Sequence, residues 1–228
     1  MPAVRFNLIQ AATFVGLEPS ALMARVRQGE VPFSGEAEHP MFEKDELQAW
    51  ASARILCMDG KRLDRYERSA AATHAEDGPF KLENLVSPEM VLLGMDARTK
   101  ASVLSGLVDF ADSLNLLYDP RDLLESLRDR EALSSTALSG GAAIPHPRHH
   151  DPYLAQESFL IVARTSAPVH FGAPDGKPSD LFFLLVCQDD RHHLRALARL
   201  CSILSDPKRY ETLRAAETPE AVCAALAQ

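Results

Sequence analysis

Apolar residues recur at helical spacing from the first positions of the chain. Leu8, Ala11, Ala12 and Val15 share one face before Gly16 ends the run. Pro19 suits a first helical turn, Leu22 and Val26 form an i,i+4 pair, and Gly29 closes a second short helix. Two helices around so tight a turn read as a helix-turn-helix. Val31-Pro32-Phe33 and Met41-Phe42, separated by a polar loop, read as a small hairpin or wing. A third helix from about Glu43 brings Leu47 and Trp50 round to close a mini-core.

The pattern then lapses. Residues 69–79 are small and polar with no period, which marks a linker and sets the organisation as a first domain over 1–68, a linker over 69–81 and a second domain over 82–228. Beyond it, residues 90–95 read as a strand and 99–114 as an amphipathic helix with Val103, Leu107 and Phe110 inward. Asp119-Pro120 starts a helix that buries Leu123, Leu124 and Leu127 and ends near Glu131. Strands follow at 158–163 and 181–187, the second apolar throughout, as a central strand covered on both faces requires. The last third is helical, over 192–204, from Asp206-Pro207 to about Ala216, and from Thr218-Pro219-Glu220 onward. Strands alternating with helices argue for an α/β fold with a mixed sheet flanked by helices.

Composition excludes several classes. Hydrophobic content of 46% with 25% charged residues is that of a globular protein. The longest apolar run, residues 181–187, is too short to span a membrane, and the N-terminus lacks a secretory pattern. The expectation is a cytoplasmic protein with no membrane partner. Cys57, Cys187, Cys201 and Cys223 are widely spaced without a C-x-x-C pair, as reduced thiols are. A net charge of −8 argues against bulk affinity for nucleic acid but leaves a local basic face open.

Chemistry concentrates near Gly140-Gly141-Ala142-Ala143-Ile144-Pro145-His146-Pro147-Arg148, a glycine-rich turn, a short apolar strand and a histidine between prolines. Pro145 and Pro147 stiffen the backbone on either side of His146 and present its imidazole from a strand end. With His149, His150, His192 and His193 nearby in pattern, three readings stand: a metal site, a nucleophilic histidine, or solvent-facing groups. Adjacent His-His pairs diverge, and neither an H-E-x-x-H pattern nor cysteine at ligand spacing accompanies them, so no metal and no cofactor is expected. His149 and His150 default to solvent; the rigid setting of His146 favours a working role.

Two resemblances follow from the residues themselves. Phe6-Asn7-Leu8-Ile9-Gln10-Ala11-Ala12, Arg27-Gln28-Gly29-Glu30-Val31-Pro32-Phe33 and Glu46-Leu47-Gln48-Ala49-Trp50 resemble the excisionase-like winged helix-turn-helix domains related to the MerR regulators. That resemblance implies DNA contact by Ser20, Arg25, Arg27 and Gln28. The wing here is Ser34-Gly35-Glu36-Ala37-Glu38-His39-Pro40, acidic where a phosphate-binding wing wants lysine or arginine, although Arg54, Lys61, Arg62, Arg65 and Arg68 follow it. Docking to a protein partner, or dimerisation, is the competing use of this domain.

In the second domain, Arg130-Glu131-Ala132-Leu133-Ser134-Ser135-Thr136, the loop ending at His146, Asp180-Leu181-Phe182-Phe183-Leu184-Leu185-Val186, and His193-Leu194 at the head of a leucine-rich helix resemble the fructose/mannitol-type IIA domain of the phosphoenolpyruvate-dependent phosphotransferase system (PTS), nearest its nitrogen-regulatory branch. The resemblance covers residues 82–228. It implies a PTS IIA type-2 sandwich and a phosphotransferase that accepts a phosphoryl group on His146 from an HPr-type carrier protein, with regulatory output to a downstream partner or to DNA. By motif position it gives His193 and Arg130 supporting roles and lets Thr136 contribute a hydroxyl. The alternative is a DNA-binding regulator whose IIA-like domain is a non-phosphorylated sensor or dimerisation module. Where the family loop carries two glycines, an isoleucine and a glycine after the histidine, this chain has Ala137, Ser139, Ala142 and Pro147, which leaves the loop shape open.

Overall fold

The computed structural model describes residues 4–73, 80–150 and 153–227. The chain divides into two compact units, Met1–Phe80 with Leu194–Ser202, and Lys81–His193 with Ile203–Gln228.

In the first unit, β1 (Arg5–Phe6) pairs antiparallel with β2 (Phe42–Glu43). Helix α1 (Leu8–Phe14) starts on a capping box in which the Asn7 side chain accepts the Gln10 N–H while Gln10 returns to the Asn7 N–H. Gly16, at φ +66°, turns the chain into α2 (Pro19–Arg27), and Gly29, at φ +69°, ends that helix. Ser34 and Met41 exchange both backbone hydrogen bonds and close the polar loop between them. Helix α3 (Lys44–Leu56) buries Leu47, Ala51 and Ile55 along one stripe. Trp50, expected in the mini-core, lies at the edge of that stripe and is half-buried under the Arg54 guanidinium.

Helix α4 (Gly60–Thr73) continues past the expected start of the linker. Alanines favour helix, and the small residues let α4 approach Gly16: Ser69 donates to the Gly16 carbonyl, and a Cβ on Gly16 would meet Ala70 at 3.1 Å. The rest of the expected linker, residues 74–79, lies outside the described residues.

The second unit is built on a four-stranded sheet of β3 (Val91–Met95), β4 (Ala142–Ala143), β5 (Phe159–Val169) and β6 (Ser179–Val186), in the order β3-β5-β6-β4. β3 runs parallel to β5 and β4 parallel to β6, while β5 and β6 are antiparallel, so the sheet is mixed. Alternate residues Phe159, Ile161 and Ala163 of β5 and Phe182, Leu184 and Val186 of β6 join a core with α5 (Lys100–Ser113) and α6 (Pro120–Leu133). Leu160, Val162, Phe183 and Leu185 of the opposite face are fully buried as well, so both faces of the two central strands are covered. β5 outlasts the strand read from the pattern because its residues 164–168 are mostly exposed and carry no apolar signal.

Helices α7 (Asp190–Ser205), α8 (Pro207–Ala215) and α9 (Pro219–Ala227) complete the chain. Asp119, Asp189 and Asp206 each cap the helix they precede with a side-chain carboxylate. All four cysteines are free. No helix among the described residues is long and apolar enough to cross a membrane.

Candidate functional site

Parallel β4 and β6 end at the same edge of the sheet, and the segments that leave them bring two histidines together. The carbonyl of Pro145 accepts the Leu185 N–H, which holds the His146 backbone beside β6. After β6, Asp189 caps α7 by accepting the His192 N–H, and His193 falls in the first turn. The His146 and His193 rings lie 4.9 Å apart between centroids. Arg130, in the last turn of α6, reaches the same place.

The hydrogen bonds determine which nitrogen of His146 can react. Arginine only donates, so the 3.1 Å contact from Arg130 Nε makes His146 Nε2 the acceptor, and Nδ1–H therefore donates to the Ile144 carbonyl at 2.8 Å. His146 is a neutral imidazole whose one lone pair faces a guanidinium. Burial, then the Arg130 charge, push its pKa well below the ordinary histidine value against a smaller upward pull from the Ile144 carbonyl. His193 is depressed as well, first by burial, then by His150, His146 and Arg130. Only 1% of His146 and none of His193 is exposed. Burial also lowers the Arg130 pKa, although a guanidinium stays charged.

Thr136, expected to contribute a hydroxyl, directs that hydroxyl to a carboxylate of the neighbouring helix. Its hydroxyl donates to Glu131 Oε2 at 2.7 Å and its N–H to the same carboxylate, while its carbonyl accepts the Ile144 N–H. The one hydroxyl proton is committed there, so Thr136 frames the loop. Glu131, buried and joined to Lys100 Nζ at 2.9 Å, is the anchor the sequence reading passed over. It sits beside Arg130 in the motif, yet a glutamate near a helix end ordinarily reads as solvated.

His150 also departs from expectation. It is half-buried, with its ring stacked on His193 at 3.9 Å and 29°. His149 is exposed as expected. The glycine loop is tied from the far side: Tyr210 Oη donates to the Gly140 carbonyl, and Gly140 N–H donates to Asp175. Arg214 pairs with Asp180 beneath them. Gly140 and Gly141 stand at φ +98° and +100°, where glycine is needed.

The residues expected to touch DNA belong to the first unit, where they do not all share one face. Ser20 and Arg27, seven apart on α2, share an exposed stripe, with Gln28 exposed beside it. Arg25 instead turns away from that stripe into an ion pair with Glu30 at 2.8 Å. Among the described residues, no group of three or more His, Cys, Asp or Glu is arranged to hold a metal ion.

Comparison with known proteins gives this geometry its context. Residues 84–228 match the family described as "Phosphoenolpyruvate-dependent sugar phosphotransferase system, EIIA 2". A nitrogen regulatory protein of Bradyrhizobium diazoefficiens is 35% identical over 148 residues, 64% of this chain and 94% of the relative. One from Pseudomonas aeruginosa is 31% identical over 145 residues, 63% of this chain and 92% of the relative. The crystal structure of nitrogen regulatory protein IIA-Ntr from Neisseria meningitidis aligns with a TM-score of 0.57 at 31% identity, covering 64% of this chain and 98% of that one. By fold, by sequence and by the extent of the match, the chain belongs to the EIIA type 2 family of the phosphoenolpyruvate-dependent sugar phosphotransferase system.

Proposed function

We propose that the second unit is a regulatory phosphocarrier that takes a phosphoryl group on His146 Nε2 from the phosphohistidine of an HPr-type protein. The observation that carries this reading is the Nδ1–H bond to Ile144, which leaves the lone pair on Nε2, against Arg130. In the transfer, Nε2 attacks phosphorus in line and the donor's N–P bond breaks. The bonding pair returns to the donor nitrogen, and the His146 proton stays on Nδ1. Arg130 moves from the lone pair to the phosphoryl oxygens, and His193 supplies a second imidazole beside them.

The relatives' names support nitrogen regulation as the setting; the reading adds a cytoplasmic location and a first unit that passes the phosphorylation state to DNA or to a protein partner. The expected division of the chain belongs to this reading, with its start moved past the end of α4 at Thr73. The test is incubation with enzyme I, HPr-type carrier and phosphoenolpyruvate. Acid-labile phosphate forms on the wild type and is absent from His146→Ala; equal yield in the variant would remove His146 from the mechanism.

One observation favours a second reading. His146 is almost wholly buried and its lone pair is covered by Arg130, as suits a IIA-like domain that senses or dimerises without being phosphorylated. On that reading the carrier delivers no phosphate, and DNA binding is lost on replacing Arg25 and Arg27.

A further inference from the structure

The first unit contains a cleft of about 890 Å³ between α2, α3 and α4 that the phosphoryl site does not involve. Four arginines line it: Arg25 of α2, Arg54 of α3, and Arg62 and Arg65 of α4. Trp50 and Tyr66 supply aromatic wall. Convergence of like charge is costly unless something offsets it. Here the offset is partial. Glu30 holds one nitrogen of Arg25 at 2.8 Å, and Asp59 stands 3.6 Å from Arg62. Glu30 also acts on Arg54 from a distance, opposing the effect of Arg25, while the buried Nε–H of Arg25 makes no hydrogen bond.

The depth of these groups differs. Arg54 is half-buried with its guanidinium 5.6 Å from the centroid of the Trp50 ring, and Arg25 is half-buried beside Glu30, while Arg62 and Arg65 are exposed. Burial lowers the Arg54 pKa first, and Arg25 adds to that effect. A ligand that satisfies both the inner and the outer guanidiniums must enter the cleft, which a small molecule does and a duplex backbone does not. Guanidinium forks match phosphate oxygens, and several of them match several phosphates.

We propose that this cleft binds a small anion carrying two or more phosphate groups, of the nucleoside di- or triphosphate class. The phosphates lie against Arg25, Arg54 and Arg65, and the ring lies along Trp50 and Tyr66. Glu18, also in the lining, is placed to accept from sugar hydroxyls or base N–H groups.

The experiment is calorimetric titration of the full chain with pyrophosphate and with ADP. Sodium sulfate at matched ionic strength and a short DNA duplex serve as the comparison arms. Saturable binding of ADP and pyrophosphate is expected, weakened about tenfold or more by Arg54→Gln and by Arg65→Gln. Because Arg65 is exposed, its variant tests the site even if Arg54→Gln fails to fold. Absence of saturable binding, binding unaffected by Arg65→Gln, sulfate binding as well as pyrophosphate, or binding of the duplex alone would each overturn the proposal. None of these outcomes bears on His146, which lies in the other unit.

Discussion

Replacing Arg130 with methionine keeps most of the side-chain volume while removing the charge and every N–H. In the unphosphorylated protein the loss is one hydrogen bond to His146 Nε2 at 3.1 Å and two to Ser134, to its carbonyl at 3.0 Å and its hydroxyl at 3.4 Å. With phosphate on Nε2, a charge-assisted hydrogen bond to its oxygens is worth about 1.5–3 kcal/mol, while giving up the bond to the lone pair costs about 0.5–1.5 kcal/mol. The difference left to the transition state is about 1–2 kcal/mol, which predicts phosphoryl transfer roughly five- to thirtyfold slower in Arg130→Met. The same substitution removes the second-largest cause of the depressed His146 pKa, so the imidazole titrates at higher pH than in the wild type. Rapid-quench measurement of acid-labile phosphate from phosphorylated carrier reads the rate, and histidine NMR titration reads the pKa. A variant that accepts phosphate as fast as the wild type would refute the reasoning and make Arg130 a cover over the lone pair.

Other outcomes follow from the same coordinates. His146 and His193 are held neutral, with folded pKa values depressed below the unfolded value of about 6.5, so the unfolded chain gains protons first as pH falls. Stability is unaffected by these groups above about pH 6.5 and declines below it by about 1.4 kcal/mol per pH unit for each, down to the folded pKa. Urea unfolding across pH, with His193→Gln losing part of the slope, checks this. Thr136→Val leaves the buried Glu131 carboxylate short of a donor and lowers stability by about 1–3 kcal/mol, with transfer per folded molecule preserved. Gly141→Ala places a Cβ 3.0 Å from Arg214 Nη1 at a backbone angle alanine resists, costing about 1–3 kcal/mol by the same assay.

Much of this architecture was legible because the pattern and the packing agree. The stripe of Val103 and Leu107, the aspartate caps and the unbroken apolar run of β6 each specify an element locally, and each element forms there. β1 was missed because two residues carry no period, and β5 was cut short where its later residues face solvent. His146, His193 and Arg130 meet across separate elements, a conjunction that motif order suggested and composition did not. Glu131, His150 and the inward turn of Arg25 depend on tertiary approach. A carboxylate beside a helix end, a histidine in a polar run and an arginine on a short helix all read as solvated until the neighbouring chain is placed.

The bond from His146 Nδ1 to a carbonyl two residues earlier has a consequence for detection. Phosphohistidine exists as two isomers that differ in which ring nitrogen bears phosphorus, and here the main chain selects between them. A phosphoryl group on this ring is confined to one isomer. Reagents or NMR signatures that tell the isomers apart therefore report whether the ring has kept its orientation, independently of how much phosphate it carries.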